Sequence, residues 1–218
     1  MIARIKAIIF DMDDTLVATA PIWHDAENEL LRLIGHPGFP ISERCKGMNA
    51  LDIAAMVHRE LRVAQTLEQC QCIMRDRLLE NFARFPIEPI PGAIALVQRC
   101  SKTGLPMAVA SGSPMQAIEH ALEILGIRHH MRILVTSEGV ARGKPHPDVF
   151  LATGEKLGVP AANCLVFEDS LVGVKAAAAA GMRCVVRPSI PGSIPENSAH
   201  VVSHWDEILL DQMLQCRD

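Results

Sequence analysis

Short apolar runs alternate with longer amphipathic stretches along most of this chain. Ala7-Ile8-Ile9-Phe10 is four consecutive apolar residues, two of them β-branched, and predicts a strand buried on both faces. Similar runs at 106–110, 133–135, 164–167 and 184–186 predict four further strands. Helical patterns lie between them. Pro91-Gly92 opens a helix through Leu96, Val97 and Cys100, and Ser113-Pro114-Met115-Gln116 starts another with a serine cap and a proline in its first turn. Residues 149–157 and 172–180 read as helices, the second ended by Gly181, and 205–214 as a terminal helix. This alternation predicts an α/β fold with a doubly wound parallel sheet covered on both faces.

One block breaks the alternation. From about Leu16 to Phe85 the pattern is helical throughout. Trp23, Ala26, Leu30 and Ile34 recur at helical spacing, which assigns them to a core, and Gly35-His36-Pro37-Gly38 stops that helix. Asn49 is placed to cap a second helix, and Thr66-Leu67-Glu68-Gln69 has capping-box spacing for a third. Pro86, Pro89 and Pro91 punctuate a hinge-like segment after it. We therefore expect a helical domain at 16–87, inserted above the carboxyl edge of a sheet formed by 1–15 and 88–218.

Composition narrows the classes. A hydrophobic fraction of 49% over 218 residues fits a globular core and argues against disorder. The net charge of -4, without a lysine or arginine block, makes a nucleic-acid partner unexpected. No apolar run approaches the roughly 18 residues of a membrane span, and the N-terminus enters a strand instead of a secretory apolar segment. Seven cysteines are scattered at 45, 70, 72, 100, 164, 184 and 216; Cys70 and Cys72 are spaced C-x-C, with no second pair at zinc-site spacing. Cys164 and Cys184 sit beside apolar runs as small core residues. The expectation is a cytoplasmic protein, a monomer or weak homodimer, with no membrane partner.

The candidate chemistry sits at the strand ends. Asp11-Met12-Asp13-Asp14-Thr15 follows the first strand directly, where an open α/β sheet places its ligand site. Carboxylates that close repel one another and call for a hard divalent cation. Ser111-Gly112-Ser113 ends the second strand; Ser111 suits either an anion site or helix capping, and Ser113 a cap. Gly143-Lys144-Pro145 follows the third strand and holds the lysine in a turn, from which it can balance a carboxylate and a phosphoryl group. Phe167-Glu168-Asp169-Ser170 ends the fourth strand in two more acids, which with Asp11 and Asp13 can form an all-oxygen Mg²⁺ site.

Asp11-Met12-Asp13-Asp14-Thr15-Leu16, Ala110-Ser111-Gly112-Ser113, Gly143-Lys144-Pro145-His146-Pro147-Asp148 and Glu168-Asp169-Ser170-Leu171-Val172-Gly173 resemble, in this order, the four motifs of haloacid dehalogenase-like hydrolases. The resemblance spans essentially the whole chain, and the closest subgroup is the sugar-phosphate phosphatases related to β-phosphoglucomutase. It implies a Rossmann-like core with a small helical cap and a Mg²⁺-dependent phosphatase for a small phosphorylated metabolite, such as a sugar phosphate. Asp11 would be the nucleophile that forms an aspartyl phosphate, and Asp13 the acid and base. Mg²⁺ would be held by Asp11, the Asp13 backbone carbonyl and Asp169, with Glu168 assisting through water. Ser111, Gly112 and Lys144 would bind the phosphoryl oxygens, and Thr15 would support the loop.

Several positions depart from the family pattern. Asp14 replaces the commonest residue there, glycine, and Ala18 and Ala20 stand where many relatives carry acids, with Thr19 between them. Lys46-Gly47-Met48-Asn49-Ala50 resembles the family's specificity loop, and Lys46, Gly47, Asn49 and Trp23 are the candidate specificity residues. Ala50 occupies the place where the mutase subgroup carries an arginine for a second phosphate, which weighs against a phosphomutase. A receiver-like signalling module or a metabolite-binding protein without turnover would be the rivals from other classes; a receiver has no use for the helical cap.

Overall fold

The structure is a computed structural model that describes residues 4–195 and 199–214, apart from the side chains of Ser42 and Glu43; Met1, Ile2, Ala3 and Cys216 lie outside the described residues. In chain order the elements are β1 (Ala7–Phe10), α1 (Ala20–Leu33), α2 (Ser42–Cys45), α3 (Ala50–Leu61), α4 (Leu67–Arg84) and α5 (Ala93–Ser101). They continue with β2 (Met107–Ser111), α6 (Met115–Ile124), β3 (Ile133–Thr136), α7 (Asp148–Leu157), β4 (Cys164–Glu168), α8 (Leu171–Ala179), β5 (Arg183–Val186), β6 (His200–Val201) and α9 (Leu210–Leu214).

The six strands form one parallel sheet in the order β3-β2-β1-β4-β5-β6. Strand alternation sends side chains to opposite faces. Ile8, Phe10, Val109, Leu165 and Phe167 pack with Leu96, Val97, Ile118 and Trp205 on one face. Ala7, Ile9, Ala108, Ala110 and Val166 pack with Val149, Phe150, Ala176 and Ala177 on the other. Phe10 and Phe167 stack at 5.1 Å across the β1–β4 seam, with Trp205 edge-on to Phe167 at 5.8 Å, so large side chains brace the sheet just below its carboxyl edge.

The helical block between β1 and β2 is organised around α4, which packs on both α1 and α3. Ala26, Leu30, Ile53, Val57, Cys70, Met74 and Leu78 fill the space between the three helices. Asn49 caps α3 by accepting from Asp52 N, and Thr66 and Gln69 form the capping box of α4. The chain enters and leaves this block through two hydrogen-bonded segments, with Ala18 N donating to Glu88 O at 2.9 Å and Ile90 N to Leu16 O at 3.0 Å.

Some local expectations needed correction. The predicted helix at 205–214 is interrupted: a 3₁₀ turn, Trp205–Glu207, precedes the short α9. Arg99 donates to the carbonyls of Trp205 (2.7 Å) and Ile208 (3.1 Å), and the Trp205 indole donates to Thr15 O, so tertiary bonds occupy groups that a continuous helix would use. Helix α2 and strand β6 are too short for a periodic signal. Pro114 occupies the N-cap of α6 itself, not its first turn, and Ser113 makes no cap bond. Cys164 is buried, whereas Cys184 is only partly so. The six cysteines among the described residues are all free thiols.

Candidate active site

Strands β1 and β4 are neighbours although the chain runs in opposite directions across the sheet from β1, and that reversal opens a crevice at their carboxyl ends. Asp11 N continues the ladder onto Phe167 O at 2.9 Å, so Asp11 and Glu168 leave the sheet side by side. The chain then turns tightly: the amides of Thr15, Leu16 and Val17 all point at Met12 O. Asp14 takes the left-handed conformation (φ 56°) that this turn demands, which an aspartate tolerates better than most residues. Thr15, expected as loop support, is fully buried in the turn.

Lys144, from the loop before α7, reaches beneath this crevice and is 3% exposed. Its Nζ donates to Asp11 Oδ1 at 2.6 Å and Glu168 Oε1 at 2.7 Å, and lies 4.9 Å from the centre of the Phe150 ring. Burial lowers the affinity of this amine for its proton, but the two carboxylates outweigh it and hold the pKa above the ordinary lysine value. Glu168 Oε2 accepts from Asp169 N, Ser170 N and Ser170 Oγ at 2.8–3.0 Å, so both of its oxygens are engaged.

Asp11 Oδ2 is different. It is buried and has no hydrogen-bond partner among the described residues. Oxygens of Asp11, Glu168 and Asp169 lie within 4.8 Å of one another. Burial, together with the neighbouring carboxylates, pushes Asp11 and Asp169 well above the usual carboxyl range, with Lys144 pulling Asp11 back only in part. An all-oxygen cluster whose mutual repulsion Lys144 relieves only in part fits a hard divalent cation.

The Asp13 side chain turns elsewhere. Its Oδ1 accepts from Trp23 Nε1 at 2.9 Å and Ser113 Oγ at 3.0 Å, and its Oδ2 from Ser111 Oγ at 2.6 Å and Ser113 Oγ at 3.0 Å. Burial raises its pKa against the pull of these donors. Ser113, expected as a helix cap, thus serves Asp13. Trp23, read both as core and as a candidate specificity residue, packs half-buried against the core and lines the site. Ser111 is completely buried and also accepts from Ser113 N at 2.9 Å.

A cavity over this cluster is lined by Asp11, Asp13, Gly112 and Asp169 from below and by the α1 and α2–α3 segments from above. Lys46, Gly47 and Trp23 are on its wall. Asn49 is not; its amide is spent on Asp52 at 2.7 Å. Gly47 shows how closely the upper segment rests on the lower: with φ +79°, a Cβ there would stand 2.3 Å from Val172 Cγ2 and 2.5 Å from Ser170 Oγ. Sequence reasoning missed His24 and Glu27, which line the cavity with Ala20 and Trp23. These four positions follow an i, i+3, i+4, i+7 spacing that shares only Trp23 with the stripe assigned to a core, and the polar residues flanking Trp23 on that helix were the available signal.

The sequence profile of the haloacid dehalogenase-like hydrolases matches residues 5–181. Hexitol phosphatase B of Escherichia coli is 31% identical over 193 residues, covering 85% of each chain. The fructose-1-phosphate phosphatase YqaB of the same organism is 32% identical, covering 85% of this chain and 97% of its own. Among solved structures, CbbY from Rhodobacter sphaeroides in complex with phosphate superposes with a TM-score of 0.81 at 25% identity, over 93% of this chain and 96% of that one. β-Phosphoglucomutase from Clostridium difficile gives a TM-score of 0.83 at 20% identity, over 96% and 95%, a likeness of fold. The chain belongs to the haloacid dehalogenase-like hydrolases.

Proposed function

We propose that this phosphoric monoester hydrolase takes a small sugar or polyol phosphate and transfers its phosphoryl group first to Asp11 and then to water. The observation that carries the route is the contrast within one carboxylate. Asp11 Oδ1 is fixed by Lys144 at 2.6 Å, while Oδ2 is buried and partnerless, an oxygen held in place with its lone pairs unspent. Attack by that oxygen on phosphorus forms the aspartyl phosphate as the bond to the sugar oxygen breaks. Asp13 gives the departing alkoxide a proton, then takes one from the water that displaces phosphate from Asp11. Its raised pKa suits a group that must hold a proton for part of the cycle.

Asp11, Asp169 and Glu168 would hold Mg²⁺ together with the Asp13 backbone carbonyl. When bound, the ion supplies charge stabilisation for the transferring oxygens and screens Asp11 from its anionic substrate. Gly112 lines the cavity, and Ser111 and Lys144 would reach the remaining phosphoryl oxygens by giving up present bonds to Asp13 and to Asp11 or Glu168, in a reaction governed by positioning and charge. Residues 16–87 act as a cap that closes over the substrate and excludes bulk water. The test is phosphate release from a panel of sugar phosphates, with Mg²⁺ and with EDTA, alongside Asp11→Asn. Metal-dependent release that disappears in the variant is expected; release that persists in a clean preparation of Asp11→Asn would falsify the nucleophile.

A further inference from the structure

We propose that Asp14 determines specificity by withholding Lys46 from substrate, so that the cavity takes phosphomonoesters whose remainder is neutral and hydroxylated and rejects those with a second anion. This rests on the phosphatase reading of the same cavity. Lys46 is the one lysine or arginine among the described residues that line it. A long cation on the wall opposite the phosphoryl site would ordinarily be the natural clamp for a distal phosphate or carboxylate. Here its Nζ is paired with Asp14 Oδ2 at 3.1 Å, with Asp169 Oδ2 at 4.0 Å. The side chains of Lys46 and Asp14 are 26% and 16% exposed, so water and salt screen the pair less than one on the open surface.

Asp14 is built to hold that cation. Its Oδ1 accepts from Thr19 N at 3.0 Å and Ala20 N at 3.1 Å, which ties the carboxylate to the start of α1 and leaves Oδ2 for Lys46. A glycine would satisfy the same left-handed turn with no carboxylate at all. The rest of the upper wall brings no lysine or arginine to a second anion among the described residues. Thr19, Trp23, His24 and Glu27 line it, and Glu27 is a carboxylate 4% exposed. Ala50, at the start of α3, is fully buried and brings no charge. Hydroxyl groups can hydrogen-bond to such a wall, whereas a distal phosphate would meet Glu27 and Asp14 with Lys46 already engaged.

The test compares fructose 1-phosphate with fructose 1,6-bisphosphate, which differ by one distal phosphate, in the wild type, Asp14→Asn and the double variant Asp14→Asn/Lys46→Met. Asparagine tolerates the left-handed backbone and keeps an acceptor for the α1 amides, so thermal melting should show an intact fold. The wild type should favour the monophosphate in kcat/KM. Asp14→Asn should move that ratio toward the bisphosphate by about tenfold, chiefly through KM, and removing Lys46 should reverse the gain. A wild type that accepts both equally, a ratio that moves less than about twofold in Asp14→Asn, or a gain that survives loss of Lys46 each overturns the proposal. Monophosphate turnover with an unchanged ratio sinks this inference alone. No release from either compound sinks the phosphatase reading and takes this inference with it.

Discussion

The indole Nε1 of Trp23 donates to Oδ1 of Asp13 at 2.9 Å, joining the first helix of the upper block to the loop that follows β1. Asp13 therefore has its full set of donors only while α1 lies over the sheet edge. In the proposed mechanism, closure of the cap and orientation of the acid and base would be one event at this bond. Trp23→Phe keeps the ring and loses the donor. Turnover of an alkyl phosphate should fall by about tenfold with little change in KM, since one of several orienting bonds is gone. A nitrophenyl phosphate, whose leaving group needs no proton, should lose much less. Equal losses on the two substrates would reject the assignment.

Lys144 sits between Asp11 and Glu168 with almost no solvent contact. Lys144→Met leaves two buried carboxylates without their counter-charge. Removing one partner of a buried ion pair costs about 3–5 kcal/mol, and the loss should appear directly in urea denaturation. Mg²⁺ should recover part of that stability by binding the native cluster and not the unfolded chain. A variant as stable as the wild type without metal would show that the cluster is not charged as described.

Gly173 is the third residue of α8, where alanine would ordinarily be the better helix former by about 1 kcal/mol. Here a Cβ would stand 1.6 Å from Glu168 Oε1, the oxygen that accepts from Lys144. Sterics must override propensity, so Gly173→Ala should lower both the melting temperature and the Mg²⁺-dependent rate. An alanine that raised stability while leaving the rate alone would mean that Glu168 has room to move.

The strands and the acidic residues at their ends were legible because both signals are local. A doubly buried strand is a bare apolar run, and Asp11 and Glu168 follow such runs directly, whereas Lys144 stands eight residues past the end of β3. The strand order, which brings the ends of β1 and β4 together, is not local and no run of residues announces it; the resemblance to a known family implied only that Asp11, Glu168 and Asp169 share one metal site. The partners of Asp13 were hidden for a different reason. Ser113 before Pro114 reads as a helix cap and Trp23 at helical spacing reads as core, and each reading is the commoner use of that residue. What decides between them is the approach of α1 to the sheet edge, where Trp23 and Ser113, ninety residues apart in sequence, both donate to Asp13. Asp14 was visible as a departure from the family, but its pairing with Lys46 depends on that same approach.

The thiols report on whether that approach is permanent. Cys45 is 2% exposed yet lines the cavity from the upper side. Burial, with a further contribution from the charge on Glu27, pushes its pKa up to about 12, and burial alone pushes Cys100 to about 12 and Cys164 to about 11. A raised thiol pKa keeps the unreactive protonated form dominant, so each unit of pH below it cuts the thiolate about tenfold. At pH 8 iodoacetamide should modify exposed Cys72 first and leave Cys100 and Cys164 untouched until the protein unfolds. Cys45 should differ from them if the cap opens in solution, because opening exposes the cavity without unfolding either core. Its alkylation, followed by peptide mapping, should then outpace that of Cys100 and slow when Mg²⁺ and orthophosphate are added. Labelling of Cys45 no faster than Cys100, with or without those ions, would mean that the upper segment stays seated on Ser170 and Val172 and that substrate enters by another path.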